Sequence, residues 1–181
     1  IELTQANSVE ELKEVVAKFG SLKPGNAARM RLAKAYYDAS KYEEALETYK
    51  ACEKKGVPRG FEDVVALGHA HALEALGKND EALAIFKKFS DTKKESFLYP
   101  QAKMGLARVL TLQGKKDEAK NLLEELKAEK TDDPVWEMTV ANLEDVIDRY
   151  EPRAKRSLFD MANEADKKVE PAPAPVTPAA E

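Results

Sequence analysis

Lys41-Tyr42-Glu43-Glu44-Ala45, Lys78-Asn79-Asp80-Glu81-Ala82 and Lys115-Lys116-Asp117-Glu118-Ala119 are three versions of one cassette, each placed 37 residues after the last. Self-similarity at a fixed period of this size marks an array of stacked supersecondary units. A second column keeps the same register: Ala33, Ala70 and Ala107, each 12 residues before the cassette alanine. Between the two alanines stands Ser40, Gly77 or Gly114, suited to ending one helix. Lysine and then acids follow, and acids favour the start of another helix. Each unit is therefore predicted to be two helices joined by a tight turn. The A helices are expected over 26–39, 62–76 and 99–113 and the B helices over 42–55, 79–90 and 116–129. Small alanines let the paired helices approach closely, and Tyr49, Phe86 and Leu123, one per B helix, fill the space beside them. A single pair cannot bury its apolar face, whereas stacked neighbours can.

The flanks read as caps. Ser8 and Glu11 have the spacing of a capping box, and Val9, Leu12, Val16 and Phe19 fall on one stripe, so an N-terminal helix within 1–20 is expected to cover the first repeat. Asp133-Pro134 is a helix start signal, and Trp136, Val140, Leu143, Ile147 and Tyr150 then recur at alternating spacings of 4 and 3. Pro152 separates this helix from another over 153–168, with Leu158, Met161, Ala162 and Ala165 as a thinner stripe. One helical domain over 1–168 follows, with the repeats at 26–130, capping helices at 134–168, and a disordered Pro/Ala-rich tail at 169–181.

Composition excludes several functions. Lysine and arginine total 29 against 33 acids, interspersed along the chain, which disfavours a dedicated nucleic-acid binder that must concentrate positive charge. Cys52 is the only cysteine and occupies a B-helix column shared with Phe89 and Leu126, so core packing is expected of it rather than nucleophilic chemistry. His69 and His71 are the only histidines, and on a helix they point about 200° apart, so they cannot share a metal ion. No phosphate loop, nucleophile elbow or dinucleotide fingerprint appears. No stretch reaches the roughly 18 apolar residues of a membrane-spanning helix.

The two-helix unit resembles the tetratricopeptide repeat, which pairs Leu-Gly/Ala-x-x-Tyr in helix A with Ala-x-x-x-Phe in helix B. The matching residues are Leu32-Ala33-x-x-Tyr36 with Ala45-x-x-x-Tyr49, His69-Ala70-x-x-Leu73 with Ala82-x-x-x-Phe86, and Leu106-Ala107-x-x-Leu110 with Ala119-x-x-x-Leu123. The resemblance implies an all-α, right-handed α-solenoid of three helix pairs with capping helices. The chain departs from the pattern at the opening Trp, replaced by Arg29, Ala66 and Lys103, and in its period of 37 rather than about 34. The extra residues fall between each B helix and the next A helix, in 56–60 and 91–97.

In that family the inner faces of the A helices line a concave groove. Carried over by register, Met30, Leu67 and Met104 form one groove column and Lys34, His71 and Arg108 the next, with Tyr37 adjoining. An apolar strip beside a basic ladder would suit a protein segment bearing acidic and apolar side chains. The competing reading packs the apolar column between A helices and leaves the basic column merely solvated. Capture of a chain-terminal carboxylate is disfavoured, because the positions that would supply the clamp carry Met30, Gly68, Gln101 and Gly105 and only Lys34 fits.

A narrower resemblance runs from Phe19-Gly20-Ser21-Leu22-Lys23-Pro24-Gly25-Asn26-Ala27-Ala28 into Leu32-Ala33-Lys34-Ala35-Tyr36-Tyr37. It is similar to the repeat domain of bacterial envelope proteins related to the ancillary subunit of the Sec translocon. That implies a periplasmic, membrane-associated setting with an anchor upstream of Ile1; an ordinary cytosolic start would place the chain in the cytoplasm instead. The expectation is a non-catalytic protein–protein interaction scaffold without cofactor, metal or catalytic residues, and with a protein or peptide as its partner. Self-assembly through the repeats or the C-terminal helix is the alternative. An enzyme lacking recognised motifs ranks last.

Overall fold

The computed structural model describes residues 8–20, 22–128 and 134–150. These residues contain eight helices and no strand: α1 (Val9–Phe19), α2 (Lys23–Asp38), α3 (Tyr42–Lys55), α4 (Glu62–Ala75), α5 (Asn79–Thr92), α6 (Tyr99–Leu112), α7 (Lys116–Ala128) and α8 (Pro134–Arg149). The helix expected over 153–168 and the tail over 169–181 lie outside the described residues. Each helix packs on its neighbours in sequence, and the A helices also touch one another, α2 with α4, α4 with α6, and α6 with α8. The result is an all-α solenoid of stacked helix pairs.

The three reversals within the pairs are the same structure. Ser40, Gly77 and Gly114 all take left-handed backbone, with φ of 57°, 71° and 78°. In each, the next residue's N–H reaches back to the carbonyl five residues earlier: Lys41 to Tyr36, Lys78 to Leu73 and Lys115 to Leu110, all at 2.9 Å. Ser40, Gly77 and Gly114 donate in turn to Tyr37, Glu74 and Thr111, which completes a Schellman motif and satisfies carbonyls that a helix end leaves without partners. The same lysines accept the first bonds of the B helices through their carbonyls, from Ala45, Ala82 and Ala119. One cassette residue thus closes one helix and opens the next.

Packing follows the small-residue columns. Ala33, Ala70, Ala107, Ala45, Ala82 and Ala119 are all fully buried. Tyr49, Phe86 and Leu123 are buried beside them, as are Cys52, Phe89 and Leu126. Between repeats, the Tyr49 ring lies against Gly68 of α4 and the Phe86 ring against Gly105 of α6, so close that a Cβ at Gly105 would stand 2.5 Å from a carbon of the Phe86 ring. Glycine at these two places lets an aromatic side chain of one repeat seat on the backbone of the next.

The substituted Trp positions are structural. Arg29 is buried, donating at 2.7 Å to both the Gly20 carbonyl and the Asn26 side chain, which ties the end of α1 to α2. Lys103, also buried, pairs with Glu125 of α7 at 2.8 Å and lies over the Tyr99 ring. At the first cap, Ser8 and Glu11 form the reciprocal capping box. At the other end Val140, Leu143 and Ile147 of α8 are buried, and the Tyr150 hydroxyl donates to the Leu112 carbonyl at 3.0 Å.

Ser40 is the one non-glycine residue with positive φ among those described. Since left-handed backbone costs an L-residue roughly 1–2 kcal/mol, Ser40→Gly should raise stability by about 1 kcal/mol in urea unfolding. No gain would show that the serine side chain compensates. Conversely Gly105→Ala should cost about 1–3 kcal/mol, because the fully buried Phe86 ring has no room to withdraw.

Candidate functional site

The A helices bring five of the seven predicted residues into two clefts. Met30 and Lys34 of α2 line the first, of about 360 Å³, together with Leu12, Tyr49, Phe61 and Val64. His71 of α4 with Met104 and Arg108 of α6 line the second, of about 400 Å³, together with Phe97 and Trp136. Leu67 borders neither: it is buried, as is most of Met104, so the apolar column contributes to packing between A helices as well as to the clefts. Tyr37 is half-buried and lines neither cleft, its ring edge-on to Tyr42 with centroids 5.4 Å apart. Burial, and then the nearby Glu74 carboxylate, push its phenol up from the ordinary value.

The basic column is compensated. Lys34 pairs with Asp38 one turn on, an exposed contact of little energetic weight. Arg108 reaches from α6 to α4 and grips Glu74 with two bonds, Nε to Oε1 at 2.7 Å and Nη2 to Oε2 at 2.9 Å. His71 adds Nδ1 at 3.2 Å from Glu74 Oε2 and stacks edge-on against Phe86 with centroids 5.0 Å apart. Burial alone would raise the Glu74 carboxyl, but the hydrogen bonds and charges of Arg108 and His71 overcome it and hold the group at about 2. His69 turns to a different partner, Glu53 of α3 at 3.0 Å.

Three residues of this face carry no repeat signal and are missed by the columns. Glu74 stands three residues after His71 on one helix face, a spacing that brings side chains together. Phe61 and Phe97 end the two longer links and remain 45% and 80% exposed at the cleft rims. A phenylalanine closing each link is the pattern that could have identified them.

Burial pushes the Cys52 thiol up to about 11, which keeps it protonated and inert. Among the described residues no group of three or more His, Cys, Asp or Glu side chains could hold a metal ion, and no helix is long and apolar enough to cross a membrane.

Stacked helix pairs with side-chain clefts along one helix layer define a helical-repeat interaction scaffold. Two family models described as tetratricopeptide repeat match the chain, over residues 6–56 and 73–143, together more than half its length. The chain belongs to the tetratricopeptide-repeat family, whose members are in general non-catalytic protein-interaction scaffolds. Neither the curated proteins nor the solved structures compared with it give a match.

A carboxyl whose folded value lies below its unfolded one contributes stability that is full above the unfolded value and is lost as pH falls through the folded value. For Glu74 that window runs from 4.5 down to about 2. Glu74→Gln should therefore cost on the order of 1–3 kcal/mol at neutral pH, with the gap to wild type closing across this window. An undiminished gap at the acid end would show that the carboxylate's charge is not what binds α4 to α6.

Proposed function

We propose that this chain is a non-catalytic adaptor that binds a partner's polypeptide segment along the A-helix face, on the periplasmic side of a bacterial envelope. The observation that carries the binding reading is the pair of clefts on that face, each lined by a phenylalanine that the array leaves partly exposed, Phe61, or largely exposed, Phe97. Exposed aromatic rings beside preformed clefts are characteristic of protein-contact surfaces, since a partner that covers them removes large apolar area from water. The charge pattern supports an uncharged or mildly acidic partner rather than a polyanion, because Asp38 and Glu74 neutralise two of the three basic groups of the face. Support for the envelope setting is the resemblance of residues 19–37 to envelope-protein repeat domains.

A photo-crosslinking residue placed at Phe61 or at Phe97 in the source cells should give defined protein adducts, while one at Lys50, on the exposed side of a B helix, should not. Equal labelling from all three positions would remove the A-helix face from the account. The identity of the adducts tests the setting: secreted or envelope proteins support it, and exclusively cytosolic ones overturn it.

A further inference from the structure

We infer that the cleft between α4, α6 and α8 selects an internal segment in which a large aromatic or aliphatic residue is followed by an aspartate or glutamate. This rests on the adaptor reading and names the chemistry its second cleft recognises. Three of the lining side chains are large and apolar: Phe97, which is largely exposed, Trp136 and the buried Met104. A bulky side chain entering there would cover the exposed ring of Phe97 together with what is accessible of Trp136, over a floor that Met104 already closes.

Two polar groups of the same cleft, on Arg108 and Trp136, can only donate. Glu74 occupies Nε and Nη2 of Arg108, and the remaining nitrogen, Nη1, bonds no group among the described residues. The indole N–H of Trp136, which can only donate, likewise has no partner among them. Gln101 adds an amide, and none of the residues lining the cleft is an aspartate or glutamate. Glu74 lies behind, already engaged, and its grip holds the guanidinium plane in place so that little freedom is lost on binding. Hydrophobic walls with convergent donors and no lining carboxylate complement an apolar residue next to an acid.

The acid belongs to the middle of a chain rather than its end. Met30 and Lys34 of the first cleft stand in the same columns as Met104 and Arg108 of the second, so a segment lying on this face passes through one cleft toward the other. The first cleft is lined by the carboxylate of Asp38, which pairs with Lys34; its other cation, Arg31, is also engaged, and Met30 and Phe61 offer apolar contact. A carboxylate thus lines the first cleft and none lines the second, which places the partner's acid in the second.

Trp136 is the only tryptophan of the chain, so its emission reports occupancy of this cleft directly. Titration of the full chain with acetyl-Ala-Phe-Asp-Ala-amide should shift that emission. Its affinity should be about tenfold higher than that of acetyl-Ala-Phe-Asn-Ala-amide or acetyl-Ala-Ala-Asp-Ala-amide, the discrimination expected of a charge-assisted bond or a buried ring. The preference for Asp should vanish in Arg108→Gln and the preference for Phe in Phe97→Ala; the second variant trims a surface ring and leaves the fold intact. Equal binding of the Asp and Asn peptides overturns the proposal. Tighter binding of acetyl-Ala-Ala-Phe with a free terminal carboxylate also overturns it, by moving the acid to the chain end. A silent Trp136 with every peptide, while crosslinks still form from Phe61 and Phe97, removes the selectivity and leaves the adaptor reading standing; loss of those crosslinks removes that reading itself.

Discussion

The reversal between the helices of a pair is the constraint on which the rest of this array depends. A chain can turn back on itself in so few residues only if one of them takes left-handed backbone, and Ser40, Gly77 and Gly114 all do. Because the following lysine serves both helices, neither can slip by a residue without losing its terminal hydrogen bonds. The alanines on either side of the turn are thereby held in register, and their full burial shows how closely the paired helices approach. Larger residues there would push the pair apart and misplace everything stacked upon it.

Stacking between pairs is governed by a different contact. Tyr49 and Phe86 each project from a B helix onto a glycine of the following A helix, so the aromatic ring and the missing side chain together set the spacing of successive repeats. That spacing in turn determines how far apart the side chains of α4 and α6 stand, and Arg108 spans the distance to Glu74 with both bonds at normal length. The face that carries the clefts is therefore a consequence of the packing behind it.

Much of the fold was legible in the sequence because its causes are local and repeated. Turn, acids and alanine recur at one interval, so a single period aligns all three units and locates their helices within a few residues. The first A helix extends back to Lys23, ahead of the start the repeat register gives, with Pro24 fixing the backbone in its first turn. The site was less legible. Columns place Lys34, His71 and Arg108 on one face, but whether each is neutralised depends on acids outside the columns, and Glu74 meets Arg108 only after two helices have packed. Phe61 and Phe97 are separated by 36 residues, so a ruler of 37 steps past them although each ends a link of the same kind.

The neutralised column has a physical consequence for recognition. A ladder of free cations would attract any polyanion, with an affinity set by salt rather than by shape. Clamping Arg108 with Glu74 removes most of that long-range attraction, while Arg108 still lines the cleft and its Nη1 bonds no group among the described residues. What remains is short-ranged and directional, felt only by a group that has already reached the space between Phe97 and Trp136. Charge there contributes selectivity over a few ångströms, and apolar burial supplies the affinity, which is the division expected when a scaffold must choose among protein segments.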